Sequence, residues 1–189
     1  MALFKVEDIS IKGITCCVPK TIERNIDLEL LSKDDIEKFI KNTGIEERRI
    51  TSEDTCTSDL CCAAAEDLIE KLNWEKSEIE LVVFVSQTAD YILPVTSTIL
   101  QDKLGLPTSC VCFDVPLGCS GYVYGMSIVA SMMQAMGVKK GLLLAGDTIS
   151  RLVSNKDKSS LPLFGDAGSA TAFEKVDSSE GIAFDLGSD

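Results

Sequence analysis

The chain has 189 residues, of which 45% are hydrophobic and 25% are charged, and its formal net charge is −12 at pH 7. This length suffices for one well-packed domain or two very small ones. The acidic balance argues against nucleic acid and anionic membrane surfaces as partners, because both need a basic surface that neutralises phosphate groups.

The amino-terminal residues and the longest apolar stretch both bear on location. Residues 1–13 lack the basic start and the continuous apolar segment of a secretory signal. The apolar stretch over 121–138 is interrupted by Ser127, Ser131 and Gln134, which predicts a buried helix rather than a membrane span. We therefore expect a cytoplasmic protein with no membrane partner.

The chain contains eight cysteines and no histidine. Because there is no export signal and several cysteines lie inside apolar runs, the sequence predicts reduced thiols rather than a disulfide framework. No C-x-x-C pair occurs, and mixed zinc sites need histidine. We therefore expect neither a metal site nor a cofactor.

Hydrophobic spacing and capping residues predict alternating strands and helices. Ser32 followed by Asp35 has the spacing of a capping box, and Ser58 is the predicted N-cap of the second helix. In chain order we expect a strand over 5–17, a helix over 34–44, an irregular charged segment over 44–50, a helix over 57–73, a strand over 79–87, a helix over 95–105, a strand over 109–115, a helix over 119–136, a strand over 140–147, and closing strands over 168–176 and 181–187.

This order of elements favours an α/β layered fold with a mainly parallel sheet. No linker or low-complexity segment divides the sequence, so residues 1–189 are expected to form one domain. The sequence stops directly after a strand pattern, which suggests that it is a piece of a longer polypeptide.

Cys119 lies in the segment FDVPLGCSGYVYGM, between a predicted buried strand and a predicted helix. The first N–H groups of a helix lack internal partners and carry partial positive charge, so they stabilise a thiolate. The same groups can hold the oxyanion that forms when a thiolate attacks a thioester. Pro116 provides the sharp turn, and Gly118 and Gly121 are expected to leave room for a substrate. The pattern follows the logic of the nucleophile elbow of hydrolases.

A structural role for Cys119 is the alternative, because free cysteine packs readily as a small buried hydrophobe. The pattern of strand, turn and helix by itself leaves the two interpretations balanced. Cys61 and Cys62, on the second helix, are interpreted as packing residues. Cys110 and Cys112 are expected on one face of a strand, with no helix terminus to activate them.

Four segments carry a further signal: GCSGYVYGM with FDV upstream, TGIEERRI over 43–50, residues 83–107, and residues 142–174, which contain LFGDAGSATAFE. Their order and spacing resemble those of the β-ketoacyl-acyl carrier protein synthase III family, a branch of the thiolase-like superfamily. The first segment resembles the active-site motif of that family, and the last resembles the segment with its LFGDGAGA motif. Together the matches cover residues 5–189.

The resemblance implies a thiolase-like α/β fold of two similar halves, each with a five-stranded mixed sheet, stacked as an α-β-α-β-α sandwich. It also implies that this chain is the N-terminal half, and that a catalytic histidine and asparagine come from the second half. By resemblance, Cys119 takes a primer acyl group from an acyl-CoA or an acyl carrier protein. A malonyl-carrier protein then reacts with it in a decarboxylative Claisen condensation of fatty acid or related biosynthesis. Alone, these residues are expected at most to become acylated.

Three further residues match substrate-binding positions of the family. Leu93 matches a position that reaches across a homodimer into the partner's acyl pocket, with packing inside its own loop as an equal alternative. Phe164 matches a residue that lines the acyl tunnel, with a plain core residue as the alternative. Lys158 matches a basic residue that can meet a phosphate.

The sequence departs from the family pattern where acyl-CoA is held. A tryptophan and an arginine that hold adenine in the family correspond to Lys38 and Asn42, and neither offers a flat stacking surface. Glu46 stands where the family often has a basic residue, and Ala167 replaces a glycine. The sequence therefore leaves open whether CoA or a carrier protein delivers the primer.

Two alternative functions remain open from the sequence alone. One is acyl transfer to a hydroxyl or amine acceptor in secondary metabolism. The other is a non-catalytic thiolase-fold partner in a heterodimer, which the retained cysteine argues against. Elsewhere, Asp166 is expected to bind backbone N–H groups in a glycine-rich turn, and Arg48 and Arg49 are expected to form a solvated or ion-paired surface.

Overall fold

The computed structural model describes residues 2–188, and over this range the strands and helices alternate largely as predicted. The strands are β1 (Ala2–Val6), β2 (Ile9–Cys17), β3 (Thr21–Arg24), β4 (Glu47–Ile50), β5 (Leu81–Val85), β6 (Val111–Val115), β7 (Lys140–Asp147), β8 (Ala167–Lys175) and β9 (Ile182–Leu186). The helices are α1 (Lys33–Thr43), α2 (Thr57–Leu72), α3 (Thr96–Lys103) and α4 (Gly121–Met136).

Five of the strands form a central sheet in the order β2-β8-β7-β5-β6. β5 pairs in parallel with both β6 and β7, whereas β8 runs antiparallel to β7 and to β2. The three parallel strands are the short apolar segments for which the sequence predicted burial. The expected five-stranded mixed sheet is confirmed.

Helices cover both faces of this sheet, and side chains of β5 pack against the helices on each face. Val82 and Phe84 belong to the hydrophobic cluster that includes α2 and α3. Leu81, Val83 and Val85 belong to the cluster that includes α4. Because successive side chains of a strand point to opposite faces, a continuous apolar run supplies both clusters. The sheet is therefore the middle layer between helices.

The amino-terminal segment forms two strands rather than the single strand predicted over 5–17. Asp8 adopts a left-handed φ of 58° between β1 and β2. β1 then pairs with β9 outside the central sheet, where the rings of Phe4 and Phe184 stack with their centroids 5.3 Å apart. The prediction is wrong at this point because alternation of apolar residues continues across the break.

The charged segment over 44–50 is not irregular, so that prediction is also wrong. Its residues Glu47–Ile50 form β4, which pairs antiparallel with β3 in a separate two-stranded sheet. An ion pair between Arg24 Nε and Glu47 Oε1, at 3.2 Å, spans the two strands. Charged side chains on a short strand pair leave little hydrophobic pattern for the sequence to reveal.

Helix ends mostly follow the predicted caps. The Ser32 hydroxyl accepts a hydrogen bond from Asp35 N at 3.2 Å, and Gly44 ends α1 with a left-handed φ of 73°. The predicted N-cap at Ser58 is wrong, because α2 begins one residue earlier and has Cys56 as its N-cap. The buried Ser58 hydroxyl instead donates a hydrogen bond to Asp90 at 2.5 Å.

Candidate active site

Cys119 lies in a tight turn between β6 and α4. Two backbone hydrogen bonds close this turn: Leu117 N donates to Val115 O at 2.9 Å, and Gly121 N donates to Gly118 O at 2.7 Å. The predicted helix start at Cys119 is two residues early, because α4 begins at Gly121. The side chain of Cys119 is exposed. The thiol therefore stands just before a helix of 16 residues, open to an incoming substrate.

Two glycines allow α4 to approach the sheet closely. A β-carbon at Gly121 would lie 2.7 Å from Cγ1 of Val85, and one at Gly125 would lie 2.7 Å from Cδ1 of Leu143. The expectation that Gly121 leaves room for a substrate is wrong, because Val85 fills that space. This glycine instead fixes the start of the helix against the sheet, and with it the position of Cys119.

Asp114, in the strand that leads to Cys119, holds the start of another helix. Its two carboxylate oxygens accept hydrogen bonds from the N–H groups of Thr96 and Ser97, each at 2.8 Å. These are the first residues of α3, whose N–H groups have no partner inside the helix. The FDV part of the motif thereby ties β6 to α3. No role was predicted for Asp114, although the sequence shows it upstream of Cys119 within the FDVPLGCSGYVYGM segment.

The loop after β5 is fixed by Asp147, the last residue of β7. One oxygen of its carboxylate accepts hydrogen bonds from Gln87 N at 2.7 Å, from Thr88 N at 3.0 Å and from the Ser86 hydroxyl at 3.0 Å. Hydrogen bonds to an ionised carboxylate are stronger than bonds between neutral groups. Asp147 therefore locks this loop to the neighbouring strand. This role of Asp147 was not predicted, because the sequence shows only a carboxylate at the end of a predicted strand.

A cleft of about 450 Å³ opens at the carboxyl ends of β5 and β7. The residues that line it include Cys56, Gln87, Thr88, Asp90 and Arg151. Gln87 also borders the turn of Cys119, since a β-carbon built at Gly118 would lie 3.0 Å from the carboxamide atoms of Gln87. Gln87 therefore lies between the cleft and the turn that carries the exposed thiol. Both are at the carboxyl ends of the parallel strands, where sheets of this class bind their ligands.

Asp166 accepts hydrogen bonds from backbone N–H groups, which confirms that prediction. Its carboxylate binds Thr51 N at 2.8 Å and Ser150 N at 3.0 Å, and it also accepts from both hydroxyl groups. The partners come from the segments after β4 and β7, not from the glycine-rich turn in which Asp166 itself lies. This buried carboxylate therefore joins three segments of the chain.

Arg48 is ion-paired with Glu23, as one of the two expectations had it, but it does not lie at the surface, because it is only 3% exposed. Its guanidinium donates hydrogen bonds to Asn25 Oδ1 at 2.9 Å, to Phe164 O at 3.1 Å and to Glu23 Oε2 at 2.8 Å. The neighbouring Arg49 is exposed, as predicted. The TGIEERRI segment thus connects the β3–β4 pair to the loop that carries Phe164.

The other predicted site residues lie at the surface. Leu93 is 79% exposed on the loop between β5 and α3, and Phe164 is 44% exposed on the loop between β7 and β8. Lys158 is exposed on that second loop, and Lys38 and Asn42 are exposed one turn apart on α1. Neither Leu93 nor Phe164 is enclosed by the described residues 2–188.

Over residues 2–188, no group of three or more potential ligand side chains is arranged to hold a metal ion. Across this same range, no helix is both long enough and apolar enough to cross a membrane.

Comparisons with known proteins relate this site to one family. A family profile described as 3-oxoacyl-[acyl-carrier-protein (ACP)] synthase III matches residues 113–189, which include Cys119. A β-ketoacyl-[acyl-carrier-protein] synthase III of Fusobacterium nucleatum is 32% identical over 185 residues. That match covers 97% of this chain and 56% of the relative.

Solved structures give the same result. A 3-oxoacyl-(acyl-carrier protein) synthase of Burkholderia xenovorans is 36% identical, with a TM-score of 0.91 over 96% of this chain and 52% of that chain. The synthase III of Pseudomonas aeruginosa is 29% identical, with a TM-score of 0.87 over 97% of this chain and 57% of that one. Over the half of the family's length that it spans, the chain is similar to the 3-oxoacyl-[acyl-carrier-protein] synthase III family. The α/β fold of this synthase III relative is therefore the thiolase-like fold that its motifs predicted.

Proposed function

We propose that Cys119 is the nucleophile of a thiolase-fold condensing enzyme of the synthase III type. The observation that carries the proposal is the exposed thiol in the turn before α4, at the carboxyl edge of a mixed sheet. The relatives that match most of this chain bear the name of such a synthase. The exposure of Cys119 also argues against the alternative of a merely structural cysteine.

The first step is acyl transfer from a primer thioester, carried by CoA or by an acyl carrier protein. The sulfur of Cys119 attacks the thioester carbonyl, a new carbon–sulfur bond forms, and the bond to the donor sulfur breaks. The donor leaves as a thiol after taking up the proton that Cys119 releases. Backbone N–H groups at the start of α4 are suited to stabilise the negative oxygen of the tetrahedral intermediate.

The second step is decarboxylative condensation with a malonyl-carrier protein. This chain contains no histidine, so we assign the histidine and asparagine that the resemblance implies to a second half outside these residues. The chain spans about half the length of the curated relatives that it matches. Residues 1–189 are accordingly proposed as the N-terminal domain of a cytoplasmic enzyme.

Leu93, Phe164 and Lys158 are proposed to contact substrate in the assembled enzyme. Leu93 would enter the partner's acyl pocket in a homodimer, Phe164 would line the acyl tunnel, and Lys158 would meet a phosphate of the donor. Their exposure in this half of the fold supports the proposal, because each is free to meet a second half or a second copy. Lys38 and Asn42 lack a stacking surface and favour a carrier-protein donor.

The test uses the full-length protein with a primer thioester and malonyl-carrier protein. We expect a 3-oxoacyl-carrier product, and we expect Cys119→Ser to lower its rate by at least about 10³-fold, because a hydroxyl without an activating base is a poor nucleophile. Cys16→Ser, at an exposed cysteine of β2 outside the cleft, is the matched control and should retain the wild-type rate within about twofold.

Two outcomes would overturn the proposal. If Cys119→Ser retained the wild-type rate of product formation, the nucleophile assignment would be wrong. If acylated enzyme formed but transferred its acyl group only to a hydroxyl or amine acceptor, without release of carbon dioxide, the condensation step would be wrong.

A further inference from the structure

The side chain of Gln87 lies beside the turn that carries Cys119. Gln87 lies two residues beyond the end of β5, and its carboxamide lies over Gly118, where an added β-carbon would come within 3.0 Å of Cδ, Oε1 and Nε2. Gly118 directly precedes Cys119. The carboxamide of Gln87 is therefore a neighbour of the peptide unit that carries the thiol.

The backbone of Gln87 is held firmly in this position. Its N–H donates to the carboxylate of Asp147 at 2.7 Å, and the same oxygen accepts from Thr88 N and the Thr88 hydroxyl, each at 3.0 Å. The loop cannot shift without breaking several charge-assisted hydrogen bonds. The fixed backbone places an exposed side chain at the border of the cleft.

Most polar groups that line the cleft already have partners. The hydroxyl of Thr57 lies 2.8 Å from that of Thr88 and 3.0 Å from that of Thr148. The carboxylate of Asp90 accepts from the start of α2. By contrast, the carboxamide of Gln87 makes no hydrogen bond to any residue in the part of the chain that the structure describes. Its two N–H donors and its carbonyl oxygen remain available to a ligand.

We propose that Gln87 selects the acyl group that Cys119 carries, and that the preferred group bears a hydroxyl close to the thioester. The inference rests on the proposed function, since it assumes acylation of Cys119. A substituent on the third carbon of the acyl chain is near enough to the thioester to meet a carboxamide beside the nucleophile turn. An unsubstituted chain would cover the carboxamide and leave it without a partner, which costs binding energy.

The experiment compares three thioesters on the full-length protein, the N-acetylcysteamine thioesters of butyrate and of each enantiomer of 3-hydroxybutyrate. The acyl adduct on Cys119 is followed by mass spectrometry in a single turnover. We expect one 3-hydroxybutyryl enantiomer to acylate Cys119 at least about tenfold faster than butyryl, the factor typical of one unpaired polar group.

Two variants test whether Gln87 causes that preference. Gln87→Met keeps the length of the side chain, and Gln87→Leu keeps its bulk, but neither can form the hydrogen bonds. Both are expected to bring the two rates within about twofold of each other while Cys119 still reacts with butyryl. Gln134→Leu, at an exposed glutamine near the end of α4, is the matched control and should keep the wild-type preference.

The outcomes separate this inference from the proposed function. Equal rates of Cys119 acylation by the butyryl thioester and by both 3-hydroxybutyryl thioesters in the wild-type protein would overturn the role of Gln87. Cys119 would remain the nucleophile. A wild-type preference that survives in both Gln87 variants would overturn the role of Gln87 equally. Failure of every thioester to acylate Cys119 would overturn the proposed function, and the role of Gln87 with it.

Discussion

The eight cysteines of this chain differ mainly in their surroundings. Cys119 is exposed in the turn before α4, whereas Cys61 is 0% exposed in the cluster between the sheet and α2. Burial raises the pKa of Cys61 to about 12, and burial also raises the pKa of Cys62. At neutral pH a thiol with such a pKa stays protonated and unreactive. The interpretation of Cys61 and Cys62 as packing residues is confirmed by these environments.

The raised pKa of Cys61 predicts a pH dependence of stability. Between the ordinary thiol pKa of 9.0 and about 12, the unfolded chain loses this proton while the folded chain keeps it. The free energy of unfolding therefore falls as pH rises through this window, by at most about 1.4 kcal/mol per pH unit. Urea unfolding of the full-length protein between pH 8 and 11 should show a shallower decline for Cys61→Ala than for wild type.

Cys16→Ala provides the control for this measurement, because Cys16 is exposed. Its decline with pH should match that of the wild-type protein, because this substitution leaves the buried Cys61 in place. Equal declines for Cys61→Ala and wild type would contradict the account of this thiol.

At the residue scale, the sequence predicted the strand, turn and helix around Cys119 but not the residues that position it. A nucleophile at a strand–turn–helix boundary leaves a local pattern, which the sequence shows directly. The bonds from Asp147 to the loop after β5 join residues about 60 positions apart in the chain, and only folding brings such residues together. Gly121 was wrongly expected to leave room for a substrate, because its packing against Val85 is also a non-local contact that the sequence does not show.

At the scale of elements, the β3–β4 pair is attached to the rest of the fold through Arg48. The Arg48 side chain is almost fully buried and binds Asn25, Glu23 and the carbonyl of Phe164. Asn25 is itself 0% exposed, and its amide donates to Pro162 O at 2.9 Å. Two buried polar side chains thereby tie a peripheral strand pair to the loop between β7 and β8.

Arg48→Met is therefore expected to destabilise the full-length protein by about 3 kcal/mol, because it leaves Asn25 Oδ1 and the Phe164 carbonyl without a donor. Urea denaturation measures the change. Arg49→Met is a matched control, since the side chain of exposed Arg49 has its only hydrogen bond within residues 2–188 to Pro19 O, at 3.1 Å. Its effect should stay within about 0.5 kcal/mol. Equal effects of the two substitutions would refute the role of Arg48.

The elements with a hydrophobic pattern were predictable, and those without one were not. The runs that became β5, β6 and β7 are short, apolar and bounded by turns, which predicted buried strands. β5 is fully buried, whereas β6, at the edge of the sheet, is only half-buried. β4 consists of ERRI, and its partner β3 consists of TIER. Charged residues make up half of β3 and three quarters of β4, so neither strand has an apolar pattern. The two strands pair although α1 separates them in the chain, and the sequence does not reveal such a non-local contact.

At the scale of the whole molecule, the loop between β5 and α3 is an exposed apolar feature. Tyr91 is 57% exposed, Ile92 is 93% exposed and Leu93 is 79% exposed. Three consecutive large apolar residues at the surface are typical of a contact with another protein surface. This exposure supports the proposed homodimer, in which Leu93 meets the partner's acyl pocket.

The double substitution Ile92→Asp and Leu93→Asp is expected to convert the full-length protein from a dimer to a monomer, because it places two charges in an apolar contact. Analytical ultracentrifugation measures the mass. Met136→Asp, which changes an exposed apolar residue at the end of α4, should leave the dimer intact. A wild-type protein that sediments as a monomer would contradict the homodimer.

The central sheet, its helices and the nucleophile turn could be predicted, because they depend on local patterns in family order, whereas the β1–β9 and β3–β4 pairs could not. The walls of the site could not, since Asp114, Asp147 and Gln87 gain their roles only through contacts between distant segments. The proposed reaction uses a histidine and an asparagine assigned outside these residues, which is why the decisive measurement must use the full-length protein.

That measurement is the location of the acyl group after the full-length enzyme reacts with a limiting amount of primer thioester. Peptide mapping by mass spectrometry should find the adduct on Cys119 and not on the seven other cysteines. Addition of malonyl-carrier protein should then remove it, with release of carbon dioxide and formation of a 3-oxoacyl-carrier product. An adduct on another cysteine with Cys119 unmodified, or an adduct that malonyl-carrier protein does not discharge, would contradict the account.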